Sequence, residues 1–299
     1  MTNEPGPDIL RMLRIRPVRW MGGRLNRHWL VMSRWGPCVL RRWHGDPSDV
    51  DYELALMERL LRTGLPVPRL LEGPIEADGS VWSLCSHLRG APQADNGPAE
   101  QRERGRLLAR FHATSSELPD LGSRKGWRRC EEILADPELD ATLLAYERTA
   151  PEEARAVRWH LDSAREHVDL DSLAMQPSHL VHGDFAAWNL LFEDGALSGI
   201  LDFELARSDH LEADFALAWR GKYDEVVYGY DEVRKLDAAA LDRITPIWWS
   251  GLIEQACRQF QKGVPDDGWI MRKLLLRTPL MGRLGTPCGL GVPNASASR

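Results

Sequence analysis

Residues 179–204 read HLVHGDFAAWNLLFEDGALSGILDFE. Two carboxylates and one amide stand in this stretch in a fixed order. Asp184 follows His182 and Gly183, Asn189 comes five residues later, and Asp202 closes the apolar run 197–201, thirteen residues beyond Asn189. Glu193-Asp194-Gly195 is hairpin-turn chemistry between strand-like runs at 190–192 and 197–201. A base candidate, an amide and a strand-end carboxylate in this order suit magnesium-dependent phosphoryl transfer. Asp184 would accept or orient the proton of an attacking hydroxyl. Asn189 and Asp202 would supply hard oxygen ligands to the metal. An isolated Asp would be an ordinary turn residue; the full spacing, flanked by strands, argues otherwise.

Working outward, the N-terminal side reads as a small antiparallel sheet. Residues 15–21, 29–33 and 37–43 are strand-like, joined at Gly22-Gly23 and at Trp35-Gly36-Pro37. A helix is expected over about 48–62, with Ser48 and Asp51 resembling a capping box and Leu54, Leu56, Met57, Leu60 and Leu61 as its apolar face. Gly64-Leu65-Pro66-Val67-Pro68 ends it. Strands at 70–71 and 81–87 follow around the Asp78-Gly79 turn, and a hinge is placed near 86–90. From Glu100 onward the chain is helical, with helices ending near Thr114, spanning 131–147 and 152–168, resuming near Glu212 and running from 237 to 262. The fold class is therefore α+β in two lobes. Residues 1–89 form a nucleotide-binding lobe, and residues 90–299 a mostly helical lobe carrying the catalytic stretch and acceptor site. The Gly-, Pro- and Ser-rich end, 282–299, reads as a frayed tail.

Composition sets limits. A chain of 299 residues, 43% hydrophobic and 27% charged, has the make-up of a soluble globular protein with room for two cores. A net charge of −6 speaks against nucleic acid as a partner. The five scattered cysteines form neither a disulfide framework nor a zinc pattern, which points to the reducing cytoplasm. The N-terminus lacks the apolar core of a signal peptide, and no apolar run approaches the ~20 residues that span a bilayer.

Other residues are candidates of lesser specificity. His182 reads as a structural histidine that braces the loop, and the pair His179-x-x-His182 lacks further metal ligands at sensible spacing. Asp214 either ties down the catalytic loop through backbone N–H groups or favours a helix N-terminus. Arg41 in the third strand and Glu53 in the first helix could form the phosphate-reaching cation and the carboxylate that orients it. Strand alternation sends Arg41 and Arg42 to opposite faces, and either could touch phosphate. Gly22-Gly23 with Asn26 could be a short phosphate-covering loop. His87, at the hinge, joins the nucleotide-binding candidates. Trp219, Trp248 and Trp249 with Asp224, Glu225, Asp231, Glu232, Glu254, Asp266 and Asp267 could line an acidic or aromatic acceptor pocket. Core packing and a solvated face are the alternatives.

These residues carry a resemblance. His182-Gly183-Asp184-Phe185-Ala186-Ala187-Trp188-Asn189, then Ile200-Leu201-Asp202-Phe203-Glu204, then Asp214, are similar to the aminoglycoside phosphotransferase and choline kinase family, relatives of protein kinases. Val39-Leu40-Arg41, Glu53 and the 64–68 loop look like the small lobe of that family, and the likeness covers about residues 15–260. The resemblance implies a two-lobed protein-kinase-like fold binding ATP, or GTP, and Mg2+ in its cleft, with Asp184 as base and Asn189 and Asp202 as metal ligands. Arg41 stands where many relatives carry lysine, and Glu204 where protein kinases carry the glycine of D-F-G. The expected enzyme transfers phosphate to a hydroxyl of a small molecule: an aminoglycoside-type antibiotic, or a metabolic alcohol of homoserine, choline or sugar type. A catalytically silent nucleotide-binding relative is the further alternative. The expected setting is cytoplasmic, as monomer or homodimer, without nucleic acid or membrane.

Overall fold

The structure, a computed structural model, describes residues 4–23, 26–94, 97–119, 122, 124–219, 224–263 and 268–285. The chain opens with α1 (Pro7–Leu13), β1 (Arg16–Gly22), β2 (Arg27–Ser33), β3 (Gly36–Arg42), α2 (Pro47–Arg62), β4 (Leu70–Ala77), β5 (Ser80–Ser86) and the short β6 (Ala91–Pro92). Next come α3 (Pro98–Ser115), α4 (Cys130–Leu134), α5 (Pro137–Tyr146), α6 (Pro151–His167), α7 (Leu170–Ala174) and β7 (His179–Val181). The hairpin β8 (Leu190–Glu193) and β9 (Ala196–Ile200) is followed by β10 (Arg207–Asp209), α8 (Phe215–Trp219), α9 (Glu225–Val233), α10 (Ala238–Gln261) and α11 (Trp269–Leu274). The architecture is α+β: an antiparallel sheet in the N-terminal region and a helical C-terminal part.

Two compact units are formed. The first takes Met1–Gln93, Glu117–Lys125 and Ala187–Ala206; the second takes the remainder. The first is discontinuous, because the β8–β9 hairpin pairs with β6 in a three-stranded sheet and clusters with the N-terminal residues; the sequence reading places its lobe at 1–89.

Within the first unit, five antiparallel strands run in the order β1-β2-β3-β5-β4. Strand periodicity sorts the side chains onto two faces. Trp29, Val31, Cys38, Leu40, Trp82 and Leu84 fill one core with Ile9 and Ile15. Val39 and Arg41, opposite Cys85 and Ser83, lie on the other face. The hairpin is joined to the loop after α2 by the Ile200 N–H, which donates to the Pro66 carbonyl at 2.7 Å.

In the second unit, α3 and α9 approach through two glycines. A Cβ at Gly105 would meet the Val226 carbonyl oxygen at 2.0 Å, and one at Gly229 the Arg102 oxygen at 1.9 Å. The long α10 packs on α6, α4, α5 and α11. A two-stranded ladder joins β7 to β10 with Val181 opposite Arg207 and His179 opposite Asp209.

Several local expectations need correction. The helix read over 131–147 is two helices, α4 and α5, because Pro137 cannot donate an N–H and the Asp136 side chain caps the second by accepting from Glu138 N. Asp46, not Ser48, caps α2, accepting from the Ser48 amide at 2.9 Å. The strand expected at 70–71 extends to Ala77 as β4. α1 was not expected; its Ile9 amide is held by Asp78 Oδ2 at 3.1 Å. The helix expected near Glu212 opens as a 3-10 turn, Leu211–Asp214. Of the tail read over 282–299, residues 282–284 belong to a 3-10 turn and 286–299 lie outside the described residues.

Candidate active site

The β8–β9 hairpin turns at Asp194 and Gly195, whose φ values of 52° and 77° are those of a type I′ turn. Its register pairs Glu193 with Ala196 and Leu190 with Ile200. The residues just outside the ladder are Asn189 and Leu201, and the Leu201 N–H donates to the Asn189 carbonyl at 2.8 Å. Thirteen residues of sequence thus collapse to neighbouring positions at the open end of one hairpin. Asn189 ends the 3-10 turn Ala187–Asn189 and is buried. Asp202 has φ +64°, a left-handed conformation that Asp and Asn tolerate better than other side chains.

Asn189 and Asp202 line a cavity of about 550 Å³ within the first unit. Gly22, Gly23, Arg41 and His87 line it as well, so most of the nucleotide-site candidates meet on one surface. Gly23 has φ +124°, and a Cβ there would meet the Asn26 carbonyl oxygen at 1.8 Å, so glycine is required. Arg41 lines this cavity whereas Arg42 turns away, donating to Ser80 Oγ at 2.9 Å. Arg41 grips Glu53 with both terminal nitrogens, at 2.5 and 3.0 Å, and its guanidinium lies 3.8 Å over the Trp43 ring. Burial works against the charge on Arg41, but the Glu53 carboxylate outweighs it and raises the guanidinium above its ordinary value. Glu204 is held by Asn26 Nδ2 at 2.7 Å and lies 3.9 Å from Arg41 Nη2.

The donor set fits a hard divalent cation. Among the described residues no group of three or more His, Cys, Asp and Glu side chains could hold a metal by itself. Asn189 and Asp202 are the oxygen-bearing side chains on this wall that would hold a magnesium ion, a cation that needs few protein ligands.

Asp184 belongs to the second unit, in the loop after β7. Asp214, fully buried, accepts from the His182 amide at 2.7 Å, the Gly183 amide at 2.6 Å and His112 Nε2 at 2.8 Å. Burial penalises this carboxylate, yet the His112 hydrogen bond and the loop amides prevail and hold it below the usual carboxylate range. His182 Nδ1 accepts from the Asp184 amide at 3.2 Å, so the imidazole braces the loop from inside. His112 Nδ1 meets Tyr230 Oη at 2.9 Å. His112 and Tyr230 escaped the sequence reading. A histidine on the apolar face of Leu107, Leu108 and Phe111 was the available signal, because a buried polar ring needs a partner.

A family model described as a phosphotransferase enzyme family matches residues 15–244, more than three quarters of the chain. The chain belongs to the phosphotransferase enzyme family. This phosphotransferase is 28% identical over 246 residues to a homoserine kinase of Chelativorans sp. (strain BNC1), covering 74% of this chain and 72% of that protein. To a homoserine kinase of Acidiphilium cryptum (strain JF-5) it is 25% identical over 297 residues, 90% and 88% of the two chains. Among solved structures, a thermostable mutant of an aminoglycoside phosphotransferase in ternary complex with ADP and hygromycin B superposes with a TM-score of 0.69 at 14% identity, covering 94% and 98%. A microcompartment-associated aminopropanol kinase gives 0.58 at 15%, covering 86% and 87%. These likenesses establish the kinase-like fold.

The acidic residues of the C-terminal third are engaged within this phosphotransferase's second unit. Arg102 binds Glu225 at 3.0 Å and Glu232 at 2.5 Å, and Arg106 binds Glu232 at 2.7 Å. Glu254 meets Arg258 at 2.8 Å and Arg128 at 3.4 Å. Asp231 pairs with Lys235, and Asp224 accepts from Trp219 Nε1 and the Leu280 amide. Trp219, Trp248 and Trp249 are core residues, 1%, 4% and 0% exposed, so none presents a face to a ligand. Asp266 and Asp267 lie outside the described residues. Among the cavity residues not singled out from the sequence are His28 on β2 and Trp188, 45% exposed between the buried Ala187 and Asn189. Among the described residues no helix is long and apolar enough to cross a membrane.

Proposed function

We propose that this phosphotransferase moves the γ-phosphate of ATP or GTP to the hydroxyl of a small amino alcohol of homoserine type. The observation that carries the chemistry is the adjacency of Asn189 and Asp202 at the open end of one hairpin, on the wall of the cavity that Gly22 and Gly23 also line. Asn189 and Asp202 would hold a magnesium ion, whose positive charge would offset the negative charge developing on the transferred phosphate. Asp184 orients the acceptor hydroxyl and takes its proton. Arg41, oriented by Glu53, presents its guanidinium to phosphate, and His87 contributes to the nucleotide wall near the hinge. His182 and Asp214 hold the loop that carries Asp184.

Two observations favour an amino alcohol over a polycationic antibiotic. The relatives just named are homoserine kinases. Among the described residues, Asp224, Glu225, Asp231, Glu232 and Glu254, candidates for gathering a polycation, are engaged by arginines, a lysine, an indole N–H and a backbone amide. We place the reaction in the cytoplasm, on a small hydroxylated substrate, with neither nucleic acid nor membrane as partner.

The test is release of ADP from ATP, or of GDP from GTP, by purified protein with Mg2+, against homoserine, choline, a sugar panel, hygromycin B and kanamycin. Turnover with homoserine or a close amino alcohol is expected. Turnover confined to the aminoglycosides would overturn the acceptor, and absence of both turnover and nucleotide binding would overturn the enzyme.

A further inference from the structure

Asn26 is 4% exposed, and its side chain works in two directions. Its Oδ1 accepts from the His44 amide, just past the end of β3, at 2.9 Å. Its Nδ2 donates to Glu204 Oε2 at 2.7 Å. Its own carbonyl oxygen is what a Cβ on Gly23 would strike. One residue therefore connects three parts of the first unit: the Gly22-Gly23 turn, the strand end beside Arg41, and the segment that follows Asp202. The far end of the link is fixed too. Glu204 lies 3.9 Å from Arg41 Nη2, Arg41 grips Glu53, and Phe203, between Asp202 and Glu204, is wholly buried.

The geometry points to Asn26 and Glu204 as a positioning pair that sets the glycine turn against the Asp202 carboxylate. A nucleotide whose phosphates lie under the turn and whose metal sits on Asp202 must satisfy both at once. The gap between them is the quantity this hydrogen bond fixes. A hydrogen bond from a buried amide to a carboxylate is of the stronger kind, and losing it leaves a buried group without its partner. The pair also gives Glu204 a task at the position where protein kinases carry glycine: glycine there would leave Asn26 Nδ2 unmatched. Neither residue touches the reacting atoms in this account; they act through the turn and through Asp202.

The inference rests on the reading of the cavity as a nucleotide site, and the test separates the two. Binding of a fluorescent ATP analogue with Mg2+, together with KM for ATP and kcat, is measured for the unaltered chain and four variants, each checked by thermal melting. Asn26→Ala and Glu204→Ala should each weaken nucleotide binding and raise KM by roughly tenfold or more, with kcat changed by no more than about threefold. Glu204→Gln, which still offers an oxygen to Asn26, should stay within about threefold of the unaltered chain. The deciding variant is the double exchange Asn26→Asp/Glu204→Gln, in which donor and acceptor change sides. Asn26→Asp alone sets two carboxylates together and should lose affinity, and the double variant should recover most of it, a coupling that unrelated structural damage would not produce. Unchanged affinity in Asn26→Ala, or no recovery in the double variant, would overturn the pair. Failure of the unaltered chain to bind nucleotide would instead overturn the nucleotide reading.

Discussion

The Leu201 amide donates to the Asn189 carbonyl at 2.8 Å, and this bond closes the mouth of a hairpin with Asn189 on one side and Asp202 one residue beyond on the other. Two oxygen-bearing side chains far apart in sequence are thus brought to neighbouring positions by the backbone pairing of one hairpin.

It follows that Asn189 and Asp202 can be changed without unfolding the hairpin. Asn189→Ala and Asp202→Asn are each expected to lower turnover on the order of a hundredfold or more, while the melting temperature moves little. Asp184→Asn should lower turnover by about 10²–10⁴-fold and leave nucleotide binding near its original value. Steady-state kinetics beside nucleotide titration decides these points; full turnover in Asp184→Asn would remove it from the reaction.

Arg41 and Glu53 form a buried pair, so breaking it from one side should cost more than replacing both. Arg41→Met is expected to destabilise the fold by about 3–5 kcal/mol, because Glu53 is left buried and uncompensated. The double variant Arg41→Met/Glu53→Leu should recover much of that loss in urea unfolding, yet remain defective with ATP. A double variant no more stable than Arg41→Met would show that the pair does not govern this part of the core.

Asp214→Ala removes one acceptor from three buried donors, the amides of His182 and Gly183 and the His112 ring. A loss of about 3 kcal/mol or more is expected. Hydrogen exchange at the His182 and Gly183 amides should accelerate before the rest of the second unit opens. Unchanged protection at these two amides would argue that the loop is held by something else.

Two histidines make the fold acid-sensitive. Burial, with the Arg41 charge nearby, lowers His28 from 6.5 to about 4. Burial, aided by Arg277 and opposed by hydrogen bonds to backbone carbonyls, lowers His160 from 6.5 to about 4. Between these values the unfolded chain binds protons that the folded chain refuses, so stability rises with pH across this window. Each contribution is whole above about pH 6.5 and is lost as pH falls toward 4, by up to about 3 kcal/mol per histidine. The melting temperature measured from pH 4 to 7 should show this slope, and His160→Gln should reduce it by about half, leaving the His28 part; a flat profile for the unaltered chain would refute it.

Much of this was legible in the chain itself. Asp194-Gly195 between two apolar runs announces a hairpin, and a hairpin of that length brings residues 189 and 202 together, so the pair proposed to hold the metal could be named from spacing. Short-range rules sufficed because turn geometry and strand period are local properties. The N-terminal sheet and α2 were readable for the same reason. Where reading failed, the deciding contact was distant. α1 is held by Asp78, nearly seventy residues on; the division of 131–147 is the exception, a local break at Pro137.

The sequence by itself determined the order Asp184, Asn189, Asp202 and the hairpin that joins the last two, because those depend on neighbours along the chain. Only the tertiary structure decided which of Arg41 and Arg42 faces the cavity, that Asp214 serves His112 and two loop amides at once, and that Glu204 belongs to Asn26. It also decided that Glu225, Glu232 and Glu254 are paired with arginines. A charge on a surface and a charge in a pair look alike in one dimension; what distinguishes them is a partner brought close by folding, and burial that makes leaving it costly.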